Sequence, residues 1–232
     1  MREIDVKTIS EYAKDGTRIS TVGYESDADV NADGMPTLDE NNSSKINFYN
    51  GKDLLISDGA IALITKQKNV RVTSNDGKTV QCYNNNGDKF STIINNYEGT
   101  GKPSILWSDR IQFGETTDKA IQIKNNETAV INPDGTFTVT YVEGKTKVAY
   151  AKDGSRLSTI TDNNGTGNPN VNNNVVTFET KDGRQTSQTF TNGETVVINA
   201  DGSVNVSTKN HFYEYSSTGE MKSHTSYNAD VD

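Results

Sequence analysis

From Thr128 the chain alternates in the manner of strands. Segments TAVIN, TFTVTYV, TKVAYA and SRLSTIT are separated by PDG, EGK and KDG. Successive side chains of a strand point to opposite faces, so Phe137, Val139 and Tyr141 fall on one side and the intervening threonines on the other. Asp-Gly and related pairs supply the positive φ that tight hairpins need. The pattern therefore predicts an antiparallel meander. Threonine, valine, isoleucine and tyrosine suit a pleated, half-exposed surface. No stretch carries a convincing helical period.

The meander recurs. A motif Y-x-x-x-G-x-x-x-S begins at Tyr12, Tyr83, Tyr150 and Tyr215, at intervals of 71, 67 and 65 residues. A basic residue follows the glycine by two in the first three copies, as Arg18, Lys89 and Arg156. A second marker keeps phase with the first: Gly34, Gly101 and Gly167 are each followed two residues later by Pro36, Pro103 and Pro169. These are three of only 4 prolines in the chain, so one repeat position holds most of them. A third marker, TAVINPDGTFTV from Thr128 and TVVINADGSVNV from Thr195, shows the same period, with a diverged copy from Ile61. Fixed-period self-similarity is the mark of repeat architectures.

The expected fold is thus all-β, built of antiparallel β-hairpin repeats of about 67 residues in an extended or superhelical array. A closed propeller-like ring is the alternative. The chain reads as one β-repeat module, with units at about 12–82, 83–149 and 150–214 and a partial unit at 215–232. Polar stretches around 25–45, 95–104 and 162–174 read as loops. The segment from Val6 to Ser10 matches Lys145 to Ala149, the end of a unit, and is a candidate to complete the last copy.

Composition narrows the function. Hydrophobic residues are only 31% of the 232, which suits elongated sheets better than one thick core. The formal net charge of −8 repels phosphate backbones and argues against nucleic acid as a partner. It suits cations. No apolar run approaches the about 18 residues of a membrane span. The start, MREIDVKTIS, has no signal-peptide core. This fits either a segment of a longer secreted chain or export by another route. The single cysteine, Cys82, reads as a small buried residue. His211 and His224 read as solvent-facing strand residues. Trp107, the sole tryptophan, reads as a core residue, with a sugar-stacking platform beside Asp109 and Asp118 as the alternative. There is no phosphate-binding glycine loop, nucleophile elbow or Cys/His cluster.

One loop carries specific chemistry. Asp29-Val-Asn31-Ala-Asp33-Gly34-Met35-Pro36-Thr37-Leu-Asp39-Glu40 matches the pattern D-x-[DN]-x-[DN]-G-x₅-E. Calcium takes about six to eight oxygens. Asp29, Asn31 and Asp33 would supply side-chain oxygens, Met35 its carbonyl, Thr37 its hydroxyl or a water, and Glu40 a closing carboxylate, with Asp39 as competitor. The flanks read as strands rather than helices, so the expectation is a structural Ca²⁺ loop between strands. The second and third loops are poorer: Asn96, Glu98 and Thr100, then Asp162, Asn164 and Thr166.

YAKDGSRLSTITDNNG, from Tyr150, resembles the YD-repeat of Rhs-type and toxin-complex shell proteins. DVNADGMPTL, from Asp29, with YEGTGKPSILW, from Tyr97, is similar to the calcium loop of FG-GAP/VCBS integrin-type propellers. These resemblances cover about a third of the chain. They imply extracellular β architecture in which calcium has a structural role. The function expected is a non-catalytic structural or adhesive segment of a secreted or cell-surface bacterial protein. It would bind an unidentified protein or glycan, with self-association along edge strands a further possibility. The alternatives are a carbohydrate-binding or carbohydrate-active module, and a secreted effector that acts by binding a protein.

Overall fold

The computed structural model describes residues 2–5, 8–141, 143–164, 167–180 and 182–227. The fold is all-β: every regular element among them is a strand. The chain divides into two compact units. One comprises Met1–Asn96, Ser104–Ile111 and Ile121–Thr128; the other comprises Tyr97–Pro103, Gln112–Ala120 and Ala129–Asp232.

In the first unit, β1 (Arg2–Asp5), β2 (Thr8–Tyr12) and β3 (Arg18–Tyr24) form a meander. The chain then leaves the ladder through a small sheet of β4 (Thr37–Leu38), β5 (Lys45–Asn47) and β6 (Asp53–Leu55). It returns as β7 (Ala60–Ile64), which pairs with β3 in parallel, Val22 opposite Ala62. An antiparallel meander follows: β8 (Val70–Thr73), β9 (Thr79–Tyr83) and β10 (Lys89–Asn95). The sequence pointed to antiparallel hairpins; the parallel junction is an addition to that picture.

The pattern then repeats. A second small sheet has β11 (Ser104–Leu106), β12 (Arg110–Gln112) and β13 (Ala120–Gln122) in that order. The next meander is β14 (Glu127–Ile131), β15 (Phe137–Thr140), β16 (Thr146–Tyr150) and β17 (Arg156–Asp162), which from Ala129 on belongs to the second unit. Next come a third small sheet, β18 (Asn170–Asn172), β19 (Val175–Glu179) and β20 (Gln185–Thr189), and a last meander. That meander is β21 (Glu194–Ile198), β22 (Val204–Ser207), β23 (His211–Tyr215) and β24 (Met221–Ser226), and β21 pairs in parallel with β17. Strand order is open in each unit, so neither unit forms a ring from its described strands.

Several expectations are refined here. The segments expected as loops include strands: Thr37–Leu38 and Asn170–Asn172 open their small sheets. These strands are only two or three residues long and polar, too short for alternation to show. Each follows directly on a buried proline, Pro36, Pro103 or Pro169. Proline has no N–H to donate and is tolerated at a strand's first position. Strand β2 is flanked on both edges, by β1 and β3. It therefore does not complete the C-terminal copy. Val6 and Lys7, at the start of that expected strand, lie outside the described residues.

The parallel junctions share a device. The N–H of Gly59 donates to the Ile19 carbonyl at 2.8 Å and that of Gly193 to the Leu157 carbonyl at 2.8 Å. Arg18 Nη2 also reaches the Gly59 carbonyl at 2.7 Å, and Arg156 Nη2 reaches that of Gly193 at 3.2 Å. In the first and third copies the basic residue of the repeat motif thus ties its hairpin to the start of the next parallel strand.

The core lies between ladder and small sheet. In the first unit Val22, Ala62, Ile64 and Val70 pack with Met35, Ile46, Phe48 and Ile56, and Tyr83 packs against them. In the second, Ile160, Val196, Ile198, Val204 and Val206 pack with Val176, Phe178 and Phe190, and Tyr213 and Tyr215 join them. Residues opposite one another in a ladder share a face. Val70 and Tyr83 are such a pair, and both belong to the core under the first small sheet. Their chain neighbours Arg71 and Cys82 therefore face the other way. There Arg71 Nη1 donates to Ser108 Oγ at 3.1 Å and Cys82 Sγ to the Ser108 carbonyl at 3.4 Å. The segment following β11 thus covers the face opposite to β4–β6. In the second unit Phe137, Thr138 and Val139 are consecutive and all buried, so β15 is covered on both faces as well.

The tyrosine-glycine motif is explained by packing. Gly87, Gly154 and Gly219 have φ of 75°, 82° and 82°. A Cβ at each would meet a ring from the preceding small-sheet segment: Phe48 at 2.7 Å, Phe113 at 2.3 Å and Phe178 at 2.9 Å. These phenylalanines recur at intervals of 65 residues, a marker of the repeat not singled out above. Gly16, in the first copy, has nothing within 4 Å of its ideal Cβ, and the described strands before it, β1 and β2, belong to the ladder.

Candidate functional site

The acidic loop lies between β3 and β4 and is largely exposed. Asp29 Oδ1 accepts the Asn31 N–H at 3.1 Å, and the Asp29 carbonyl accepts that of Ala32 at 3.2 Å. The Asp33 carbonyl accepts the Lys68 ammonium at 2.6 Å. Met35 buries its side chain in the core at 6% exposure, while its N–H donates to the Ala32 carbonyl at 3.0 Å. Thr37 stands in β4 opposite Asn47, and Glu40 is exposed beyond that strand. Asp39 belongs to a different network. It accepts the N–H groups of Asn41 and Asn42, each at 2.9 Å, and the Asn47 amide at 3.1 Å. The Asn47 amide chiefly, then the Asn41 N–H, hold its carboxyl below the usual value.

Among the described residues no three His, Cys, Asp or Glu side chains gather as a metal site. Asp29, Asn31 and Asp33 share one loop, and Glu40 follows β4. The Lys68 ammonium sits on one of the carbonyls of that loop. The third loop repeats the turn: Asp162 Oδ1 accepts the Asn164 N–H at 2.9 Å. Thr166, named with it, lies outside the described residues. In the second loop Tyr97, between Asn96 and Glu98, lies beneath the Lys152 ammonium, 4.8 Å from its ring centroid.

Carboxylates of the Asp-Gly turns have a comparable duty. Asp134, Asp153 and Asp201 each accept the N–H two residues on at 2.9 Å and that residue's hydroxyl at 2.7 Å. Those hydroxyls, then the N–H groups, lower the three pKa values from the ordinary 3.8. A depressed folded-state pKa means that the stabilisation is fully present above the unfolded-state value and is lost as pH falls through the folded-state value. The melting temperature should therefore decline below about pH 4. The triple substitution Asp134→Asn, Asp153→Asn and Asp201→Asn, which keeps an acceptor oxygen but removes the titration, should flatten that decline in a melting series across acid pH. An unchanged acid limb would remove these turns as its source.

A second candidate is a cleft of about 600 Å³ in the first unit. It is lined from β8 and β9, from the turn between β7 and β8, and from the bend after β11. Trp107 and Ser108 at that bend both have positive φ, 51° and 74°. For side chains other than glycine this costs about 1–3 kcal/mol each unless the surroundings enforce it. The enforcing contacts are those of Ser108, 8% exposed, with Arg71 and Cys82. The bend turns Trp107 outward, and the residue is 64% exposed. The core placement expected from sequence is thus corrected: a ring at a left-handed bend beyond a three-residue strand cannot point into the ladder's core. The Arg110 guanidinium carbon lies 5.2 Å from the Trp107 ring centroid.

Cys82 lines the same cleft. Burial, the largest influence, pushes its thiol up to about 11, so it stays protonated near neutral pH. His211 Nδ1 and His224 Nε2 lie 3.1 Å apart on the β23–β24 hairpin, and Tyr213 stacks on His224 at 4.5 Å. His224 is exposed and His211 half-buried.

No family model matches the chain, and no curated protein matches it. Among solved structures, the G-box domain of the microcephaly protein CPAP is 14% identical, with a TM-score of 0.28 over 100% of this chain and 94% of that one. The TCP10 domain of Danio rerio CPAP is 12% identical, with a TM-score of 0.19 over 97% and 99%. A catalytically inactive virginiamycin B lyase from Staphylococcus aureus is 12% identical, with a TM-score of 0.22 over 87% and 73%. Similarities of this size carry no argument, and the fold rests on the strand pairing itself.

Proposed function

We propose that the chain is a structural or adhesive β-repeat segment of a secreted or cell-surface bacterial protein, acting by binding rather than catalysis. The observation that carries this reading is the use made of the repeat's polar residues. Arg18 and Arg156 tie hairpins to parallel strands, and Asp134, Asp153 and Asp201 hold turns. Side chains occupied in this way serve a scaffold. The YD-repeat and FG-GAP/VCBS resemblances support an extracellular setting.

Calcium is the second element of this proposal. The ion would draw on Asp29, Asn31 and Asp33, and Lys68 would have to leave the Asp33 carbonyl. A millimolar calcium supplement should then raise the melting temperature by a few degrees, an effect absent from the Asp29→Ala, Asp33→Ala double variant. Equal melting in calcium and in chelator would remove calcium from the proposal. Adhesion itself is read by coating beads with the chain and measuring retention on cell surfaces under flow. Retention no greater than with uncoated beads would sink the adhesive reading.

A further inference from the structure

The cleft at Trp107 has the features of a ligand site rather than a gap in packing. We propose that it binds a neutral saccharide, with the Trp107 ring as the stacking platform and the polar residues around it taking the sugar hydroxyls. This rests on the reading of the chain as a binding segment and names the class of ligand.

Three observations lead there. The first is the presentation of the aromatic. A tryptophan 64% exposed on a bend of two positive φ values is held outward by its backbone. Arg71 and Cys82 fix that bend through Ser108, so the backbone that carries the ring is set before any ligand arrives. A rigid, amphipathic ring on a fixed backbone gives contact area at little cost in conformational entropy.

The second is charge. Lys66, Arg71 and Arg110 are matched in the lining by Glu25, Asp27 and Asp109. Two of the three are also paired locally, Lys66 with Asp27 at 2.8 Å and Arg71 with Glu25 at 3.2 Å, while Arg110 lies over the Trp107 ring. Asp109 accepts the Gln122 amide at 2.9 Å. A site balanced in this way selects neither polyanions nor cations, and the chain's net charge of −8 opposes nucleic acid further.

The third is the ratio of polar to apolar groups. Trp107 and Phe90 are the aromatic residues of the lining, and most of the rest are amides, carboxylates, cations and hydroxyls. A protein hot spot needs a desolvated apolar centre. A pyranose needs one flat apolar face and a ring of donors and acceptors, which is what Trp107, Gln67, Asn69 and the Glu25–Arg71 pair offer. The volume, about 600 Å³, falls within the range of small-ligand pockets.

Trp107 is the only tryptophan, so its selectively excited emission reports on this cleft alone. The probes are neutral tetrasaccharides of glucose, mannose, galactose and N-acetylglucosamine, with a sulfated tetrasaccharide and an acidic peptide for comparison. The expected result is a saturable emission shift with at least one neutral probe, with a dissociation constant of about 1 mM or tighter. Calorimetry should then show at least a tenfold loss for Trp107→Ala but no more than about threefold for Trp107→Phe, both variants melting as the parent does. Binding of the sulfated probe or the peptide alone, no response to any probe, or unchanged affinity in Trp107→Ala would each overturn the proposal. Bead retention on cells that survives Trp107→Ala leaves the adhesive reading standing while removing this one.

Discussion

Gly87→Ala will lower stability by about 2–5 kcal/mol, whereas Gly16→Ala will cost about 1–2 kcal/mol. Both positions have positive φ, 75° and 85°, so both alanines meet the same backbone penalty. Only at Gly87 does the new methyl also meet a ring, with Phe48 Cδ2 2.7 Å from the ideal Cβ. Phe48 is 5% exposed and packed with Ile46 and Ile56, so it has little room to turn aside. Urea unfolding of the two variants separates the terms, because the difference between them isolates the steric part. Equal losses would mean that the phenylalanine yields freely, and the packing explanation of the motif would fail. Gly219, facing the buried Phe178 at 2.9 Å, should behave like Gly87.

Phe137→Ala is expected to be the most damaging single truncation in the second unit, at about 3–5 kcal/mol. Phe137 is fully buried and stacks on Tyr150, its cross-strand partner, with centroids 4.9 Å apart and planes 14° apart. Phe113 lies on it at 6.4 Å. Removing the ring leaves a cavity between ladder and small-sheet segment and strips two aromatic contacts at once. Phe137→Leu, which keeps most of the volume, should lose far less. Denaturant midpoints and slopes for both variants test this, and a loss under about 1 kcal/mol for the alanine would show that the site collapses to fill itself.

What the sequence disclosed and what it concealed have physical causes. The meanders were legible because their turns are chemically marked. The four strands expected from Thr128 appear as Glu127–Ile131, Phe137–Thr140, Thr146–Tyr150 and Arg156–Asp162. The small sheets were hidden because β4, with two residues, and β11 and β18, with three, are too short to alternate. The parallel junctions were hidden because nothing local distinguishes a strand that pairs forward from one that pairs back. The 65-residue series of Phe48, Phe113 and Phe178 was the available signal for both, since each ring leaves a small-sheet segment to reach a ladder turn. The D-x-N-x-D-G loop was legible as a motif, and Asp29 also caps its own turn by accepting the Asn31 N–H. Trp107 was misplaced because its exposure follows from the backbone at 107 and 108, not from its own hydrophobicity.

The strand count of a meander decides more than its width. Four strands make an even number, so β10 runs opposite to β3, and a connection between parallel neighbours keeps one hand. The first small sheet and the segment after β11 lie on opposite faces of the first ladder, so both faces have cover. Gain or loss of a whole hairpin preserves that parity. Gain or loss of one strand would send the next detour to the side already clothed and leave Cys82 and Ile93 bare to water.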